Sequence, residues 1–252
     1  MTPELRRGER IDELQFGGYR IIQNPATFCF GTDAVLLADF AAPKRSDRAV
    51  DLGCGNGVIA ILMAAHCPEL QADGVEIQPE IAEMAERSVR MNGLEDRLRI
   101  HCMDMREAHA VLGQGRTSLV VCNPPYGREG AALVNPDEKK RIARHETGLT
   151  AGDVARSAAK LLKFGGRFCV IYPAGRAFEM MTAMQENGLA PKRIRTIHSR
   201  AGKAPKLVLM DAVKGGGSML HWLEPLILYN DDGTHSAEWR RIYGMDGPAG
   251  RP

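Results

Sequence analysis

The sequence predicts an α/β fold: a mostly parallel sheet of seven strands with helices on both faces and an antiparallel hairpin at its C-terminal edge. Three observations carry this reading. Apolar runs of strand length alternate with segments of helix length between residues 49 and 187, the pattern of parallel strands joined by helical crossovers. A glycine-rich turn, residues 53–57, follows the first of these strands and opens the first of these helices. The last two strand-like runs are joined by a link too short for a crossover, which makes them an antiparallel pair.

Taken in order, residues 1–15 form a charged lead expected to be mobile. Phe16 to Ile22 reads as a strand or hairpin arm entered through Gly17-Gly18. Gly31 then ends the aromatic stretch Phe28-Cys29-Phe30, and Thr32 or Asp33 is placed to cap a helix carrying Val35, Leu36, Leu37 and Phe40. A polar break at 43–47 precedes the first core strand, 49–52. There follow a helix at 58–66, a strand at 74–76, a helix at 80–91 and strands at 98–101 and 119–122. A helix at 151–162, a strand at 167–172 and a helix at 176–187 continue the alternation, and 194–198 and 206–213 face each other as the hairpin. The sequence contains no internal repeat and no low-complexity segment.

Composition narrows the function classes. A net charge of +2 with 25% charged residues gives no global basic footprint, so any nucleic-acid contact must come from a local patch. The six cysteines, at 29, 54, 67, 102, 122 and 169, include no C-x-x-C pair, which points to reduced thiols and a cytoplasmic protein. The N-terminus has neither a signal-type apolar region nor a transit pattern, and no apolar run approaches the roughly 20 residues needed to span a bilayer.

Two motifs carry chemistry. In Asp51-Leu52-Gly53-Cys54-Gly55-Asn56-Gly57 the glycines allow a tight turn and close approach of a ligand to the backbone, with Asp51 expected to reach into the same crevice. Glu76 is placed to hold ribose hydroxyls, a feature shared with dinucleotide sites. The G-x-G-x-G spacing suits an amino-acid-bearing nucleoside instead of a pyrophosphate, and Asp104 is a candidate acceptor for an adenine amino group. This set resembles the S-adenosylmethionine site of class I methyltransferases.

The second motif is Asn123-Pro124-Pro125-Tyr126-Gly127, at the end of an apolar strand and stiffened by its prolines. A conjugated exocyclic amino group is a poor nucleophile until both its N–H protons are held. The Asn123 side-chain oxygen and the Pro124 carbonyl are two such acceptors, and Tyr126 is an aromatic plate for the ring. A carbonyl in that place would leave both acceptors unpaired, at roughly 1–3 kcal/mol each. A glutamine amide or the guanine amino group fits as well as adenine.

FGTDAVLLA (30–38), DLGCGNGVIAIL (51–62), GVEIQPE (74–80), NPPYG (123–127), RHE (144–146) and PLILYNDDGTHSAEWRRIYG (225–244) together resemble the bacterial tRNA1(Val) (adenine(37)-N6)-methyltransferase family over nearly the whole chain. The resemblance implies a single Rossmann-like methyltransferase domain over 1–252, with 1–45 an N-terminal extension packed near the cofactor. It implies S-adenosyl-L-methionine as cofactor, held by Phe30, Gly31, Thr32, Asp51, Gly53, Gly55, Asn56, Gly57, Glu76, Ile77, Asp104, Met105 and Asn123. It further implies methyl transfer to N6 of an adenosine beside a tRNA anticodon, at Asn123, Pro124 and Tyr126. Release-factor glutamine methyltransferases and rRNA guanine-N2 methyltransferases share this type of turn and are the alternatives, and a non-catalytic RNA-binding module would not need the intact turn.

For tRNA contact the candidates are Pro125, Arg128, Lys139, Lys140, Arg141 and Arg144 beyond the turn, and Lys192, Arg193, Arg195, Arg200, Lys203 and Lys206 around the hairpin. Residues 127–148 read as a loop that orders on substrate binding, with His145 and Glu146 placed to orient it. His66-Cys67 and His101-Cys102 lack zinc spacing, so no metal is expected. No membrane contact is expected, and a monomer is favoured.

Overall fold

In the computed structural model, which describes residues 4–125 and 148–246, the N-terminal lead contributes a strand. β1 (Arg10–Glu13) pairs antiparallel with β2 (Arg20–Gln23), and the expectation of a mobile lead is corrected by what holds this hairpin down. Arg87 lies 2.6 Å from Glu9, with their side chains only 9% and 5% exposed, and also binds Glu83. The hydrogen bonds from Arg87 hold the Glu9 carboxyl below its ordinary range. Ile22 N donates to Ser88 Oγ, and Asn92 bridges both backbone groups of Arg20.

α1 (Thr32–Ala41) follows, N-capped by Gly31 with no side-chain cap bond. Neither Thr32 nor Asp33 caps it; both lie inside its first turn. The core alternation then runs β3 (Arg48–Leu52), α2 (Val58–His66), β4 (Gln71–Glu76), α3 (Pro79–Met91), β5 (Leu98–Cys102), the short α4 (Ala108–Leu112) and β6 (Thr117–Cys122). Beyond the undescribed residues 126–147 come α5 (Ala151–Leu161), β7 (Leu162–Pro173), α6 (Ala177–Glu186), β8 (Leu189–His198) and β9 (Leu207–Lys214). The two-residue β10 (His221–Trp222) and β11 (Leu226–Ile227) and then α7 (Ala237–Ile242) complete the order. A capping box between Thr150 and Asp153 fixes the start of α5.

The sheet order is β10-β8-β9-β7-β6-β3-β4-β5, with β11 also on β8. The seven expected strands are present. β9 runs antiparallel between β7 and β8, so the hairpin is one strand further in than a free edge, and β10 and β11 add parallel to the outer side of β8. The extra strands are two residues each, too short to show a period of two.

Both sheet faces are buried, as parallel strands require. Ala49, Leu119, Val121, Cys169 and Ile171 pack toward α1 and α2, and Val50, Leu52, Val120, Cys122, Phe168 and Val170 pack toward α5 and α6. From β3 the chain runs outward through β4 and β5 and then returns to β6 on the other side. That reversal leaves a crevice at the carboxyl ends of β3 and β6, where doubly wound sheets bind ligands. Among the described residues no helix is long and apolar enough to cross a membrane.

Candidate active site

At this crevice the turn after β3 is tied to β4, since Gly53 N and Cys54 N both donate to Val75 O at 2.8 and 2.9 Å. Gly55 N donates to Glu76 Oε2 at 3.1 Å, and Glu76 Oε1 accepts from Gln78 N at 2.9 Å. Glu76 is therefore held by the two backbone segments it faces, with its carboxylate on the wall of a cavity. Gly55 has φ +56°, and a Cβ there would stand 2.5 Å from Phe28 Cζ. Only glycine lets the Phe28 ring lie on the turn.

The cavity is lined by the expected Phe30, Gly31, Gly53, Glu76, Ile77, Asp104, Met105, Asn123, Pro124 and Pro125. Thr32, Asp51, Gly55, Asn56 and Gly57 do not line it. For Asp51 the reason is strand alternation: Val50 and Leu52 face α5, which turns Asp51 toward the opposite helices, where it is fully buried. Neither of its oxygens makes a hydrogen bond of normal geometry. Burial pushes its pKa up to about 8, with Glu76 adding to the rise and the Ala60 backbone opposing it. Asn56 is also fully buried and gives its amide nitrogen to Ile22 O at 3.1 Å, fastening the turn to β2. Thr32 shares a hydrogen bond with the Tyr243 hydroxyl, whose pKa burial pushes up to about 12.

Asp104 lines the cavity, but its carboxylate is engaged by Arg106, through the backbone amide at 2.9 Å and through Nε at 2.9 and 3.0 Å. Those bonds lower its pKa. At the opposite wall, β6 delivers Asn123, whose Nδ2 donates to Asp33 Oδ2 at 3.0 Å; Pro124 is buried and Pro125 exposed. Tyr126, Arg128, Lys139, Lys140, Arg141, Arg144, His145 and Glu146 lie outside the described residues.

Three of the expected RNA-contacting cations are committed to the fold. Arg193 pairs with Asp211 and lies 4.8 Å over the Phe40 ring. Arg195 binds Glu224 O and Glu238, and Lys192 binds Gly217 O. Arg200, Lys203 and Lys206 are exposed on the turn between β8 and β9. Because β7 pairs with β9 from Pro173↔Leu207 onward, that turn is at the carboxyl end of the parallel strands, on the cavity's side of the sheet.

Sequence reasoning missed Asp33 as a partner of Asn123 and missed Phe28 as the ring on Gly55; both lie within or beside the FGTDAVLLA segment. Among the described residues no group of three His, Cys, Asp or Glu is placed to hold a metal. His66 packs edge-on against Phe16, and His101 bonds Asp73 at 2.8 Å.

Among the described residues the charged groups on the cavity wall are Asp33, Glu76, Asp104 and Arg106, and Arg106 is already paired with Asp104. A pyrophosphate would face carboxylates here. A sulfonium with an ammonium group and ribose hydroxyls would suit such a wall, where Glu76 could take the hydroxyls, Ile77 and Met105 could flank the base, and the turn at Gly53 could face the amino-acid portion.

Comparison with known proteins agrees. The methyltransferase small domain model matches residues 19–187. The tRNA1(Val) (adenine(37)-N6)-methyltransferase of Yersinia pseudotuberculosis serotype O:3 is 30% identical over 241 residues, covering 95% of this chain and 92% of its own. A solved structure from Agrobacterium tumefaciens, described as a predicted O-methyltransferase, superposes with a TM-score of 0.70 at 24% identity, over 84% of this chain and 95% of its own. Geranyl diphosphate C-methyltransferase of Streptomyces coelicolor A3(2), solved with S-adenosyl-L-homocysteine, gives 0.53 at 16% identity over 72% and 78%. The cofactor is S-adenosylmethionine, and the chain belongs to the methyltransferase small domain family, together with the tRNA1(Val) (adenine(37)-N6)-methyltransferases.

Proposed function

We propose that this protein methylates N6 of an adenosine in tRNA, adenine 37 of tRNA1(Val) as in the named relatives. The observation that carries the reading is that Asn123 and Pro124 line the same cavity as Gly53 and Glu76. Methyl donor and amino acceptors then share one crevice. When bound, the cofactor supplies a methyl group on a sulfonium, whose leaving group is already activated. Asn123 Oδ1 and the Pro124 carbonyl accept the two N–H protons of the target amine and make its lone pair available, so the chain's task is alignment. No pKa-tuned base is needed beforehand, because the nitrogen becomes strongly acidic only as it is alkylated and then releases its proton to water.

Pro125 is exposed beside the acceptors, and Tyr126 supplies the stacking plate for an extruded base. Arg200 and Lys203 on the rim, with Arg128, Lys139, Lys140, Arg141 and Arg144 of the segment after the turn, would grip the RNA backbone. The reading takes 1–252 as one domain acting in the cytoplasm, with 1–45 packed beside the cofactor; Phe28, Phe30, Gly31 and Asp33 on the cavity wall support that packing.

The test is incubation of the protein and labelled cofactor with unmodified tRNA, with release factor and with ribosomal RNA. Label in tRNA as N6-methyladenosine is the expected result. Label in glutamine of the release factor alone, or in guanine alone, replaces this reading with the corresponding alternative.

A further inference from the structure

Asn123 presents an amide, and an amide has two ends of nearly equal shape and opposite hydrogen-bonding character. If its NH2 group faced the substrate amine, two donors would meet and the acceptor function would be lost. Something in the fold must select the orientation. Asp33 is a neighbour placed to do so: its Oδ2 accepts from Asn123 Nδ2 at 3.0 Å across 90 residues of sequence. A carboxylate only accepts, so it can face the nitrogen of the amide and not its oxygen.

We propose that Asp33 is a positioning residue that fixes the Asn123 amide with its oxygen as the acceptor toward the substrate, and so confers preference for an amino group over a carbonyl. The inference rests on methylation of an adenine amino group. Asp33 and Asn123 line the same cavity, so the orientation is set at the reacting end of the site.

Asp33 is held by the first turn of α1, and neighbouring residues fasten that turn. Its Oδ1 accepts from Ala34 N at 3.1 Å, in the first turn of α1, where backbone N–H groups favour a negative charge. The preceding Thr32 shares its hydrogen bond with Tyr243, and Arg241 reaches Asp39 on the same helix at 3.5 Å. Tyr243 ends a stack in which His235, Trp239 and Tyr243 lie 3.7 and 3.9 Å apart with rings 10° from parallel. The two segments that most specify the family resemblance, FGTDAVLLA and the C-terminal block, thus meet at the start of α1, beside the residue that holds Asn123.

The test compares Asp33→Ala and Asp33→Asn with the parent in three measurements. These are kcat on unmodified tRNA, cofactor affinity by calorimetry, and binding of cofactor-saturated protein to anticodon hairpins bearing adenosine or inosine at the target position. Asp33→Ala is expected to lower kcat about 100-fold, the scale of a misaligned reacting group, while cofactor Kd stays within about threefold and the preference for adenosine over inosine is lost. Asp33→Asn keeps the size of the side chain, but with its oxygen held by Ala34 N it turns an NH2 toward Asn123 that can donate to the Asn123 oxygen, so kcat and the preference for adenosine should fall as they do in Asp33→Ala.

Parent kcat and parent preference in Asp33→Ala overturn the proposal. So does a cofactor Kd that weakens in step with kcat, which would place Asp33 on the cofactor. A parent protein that transfers no label to tRNA is a separate outcome: it defeats the functional reading and takes this proposal with it.

Discussion

Replacing Asp51 by asparagine should stabilise the cofactor-free protein, by an amount that grows with pH. The folded protein keeps the Asp51 proton up to about pH 8, whereas the group titrates near 3.8 when exposed. Between these values the native state holds one proton more than the unfolded chain. The stability this proton supports is fully present below about pH 4 and is lost as pH rises through about 8. Each pH unit in that window is worth about 1.4 kcal/mol, so the parent loses about 3 kcal/mol between pH 5 and pH 7 through this group. The asparagine side chain of the variant has no proton to lose. Urea denaturation followed by circular dichroism at pH 5, 6, 7 and 8 should show the variant gaining on the parent by that slope. Parallel pH profiles would refute the assignment of a buried, protonated Asp51 beneath the glycine turn.

Other perturbations address the cavity and its rim. Glu76→Ala removes the charge-assisted bonds to Gly55 N and Gln78 N along with the partner for ribose hydroxyls. Calorimetry should show cofactor affinity about 10- to 100-fold weaker, and an unchanged Kd would remove Glu76 from the site. Gly55→Ala drives a Cβ into the Phe28 ring at a φ of +56°; it should cost about 1–3 kcal/mol of stability in denaturant titration and weaken cofactor binding. Arg200→Ala and Lys203→Ala should each weaken tRNA binding and lower the salt slope of log K by about one, with cofactor affinity unchanged. A salt slope equal to the parent's would return both residues to the ordinary solvated surface.

Much of this architecture is legible from periodicity and glycine punctuation. α2 is readable as 58–66 because Gly57 opens it and its apolar residues continue without a break, and β6 because a continuous apolar run ends at two prolines. Long-range pairing is what local patterns do not carry. Glu9 looks like any charge in a polar lead until Arg87 is beside it. Arg193 and Arg195 look like a basic patch until Asp211 and Glu238 neutralise them. Asp33 satisfies the local rule for a helix cap, yet Gly31 occupies the cap position and the carboxylate serves Asn123. Asp51 stands next to the glycines in sequence, while the period of the strand turns it away from the cavity that Gly53 lines.

The most direct measurement of the central claim is mass spectrometry of nucleosides from the tRNA of a strain lacking this protein, with the gene restored in a parallel culture. Loss of N6-methyladenosine from tRNA, traced to position 37 of tRNA1(Val), is expected, with its return on complementation with the parent gene. An unchanged N6-methyladenosine profile in the deleted strain would contradict it.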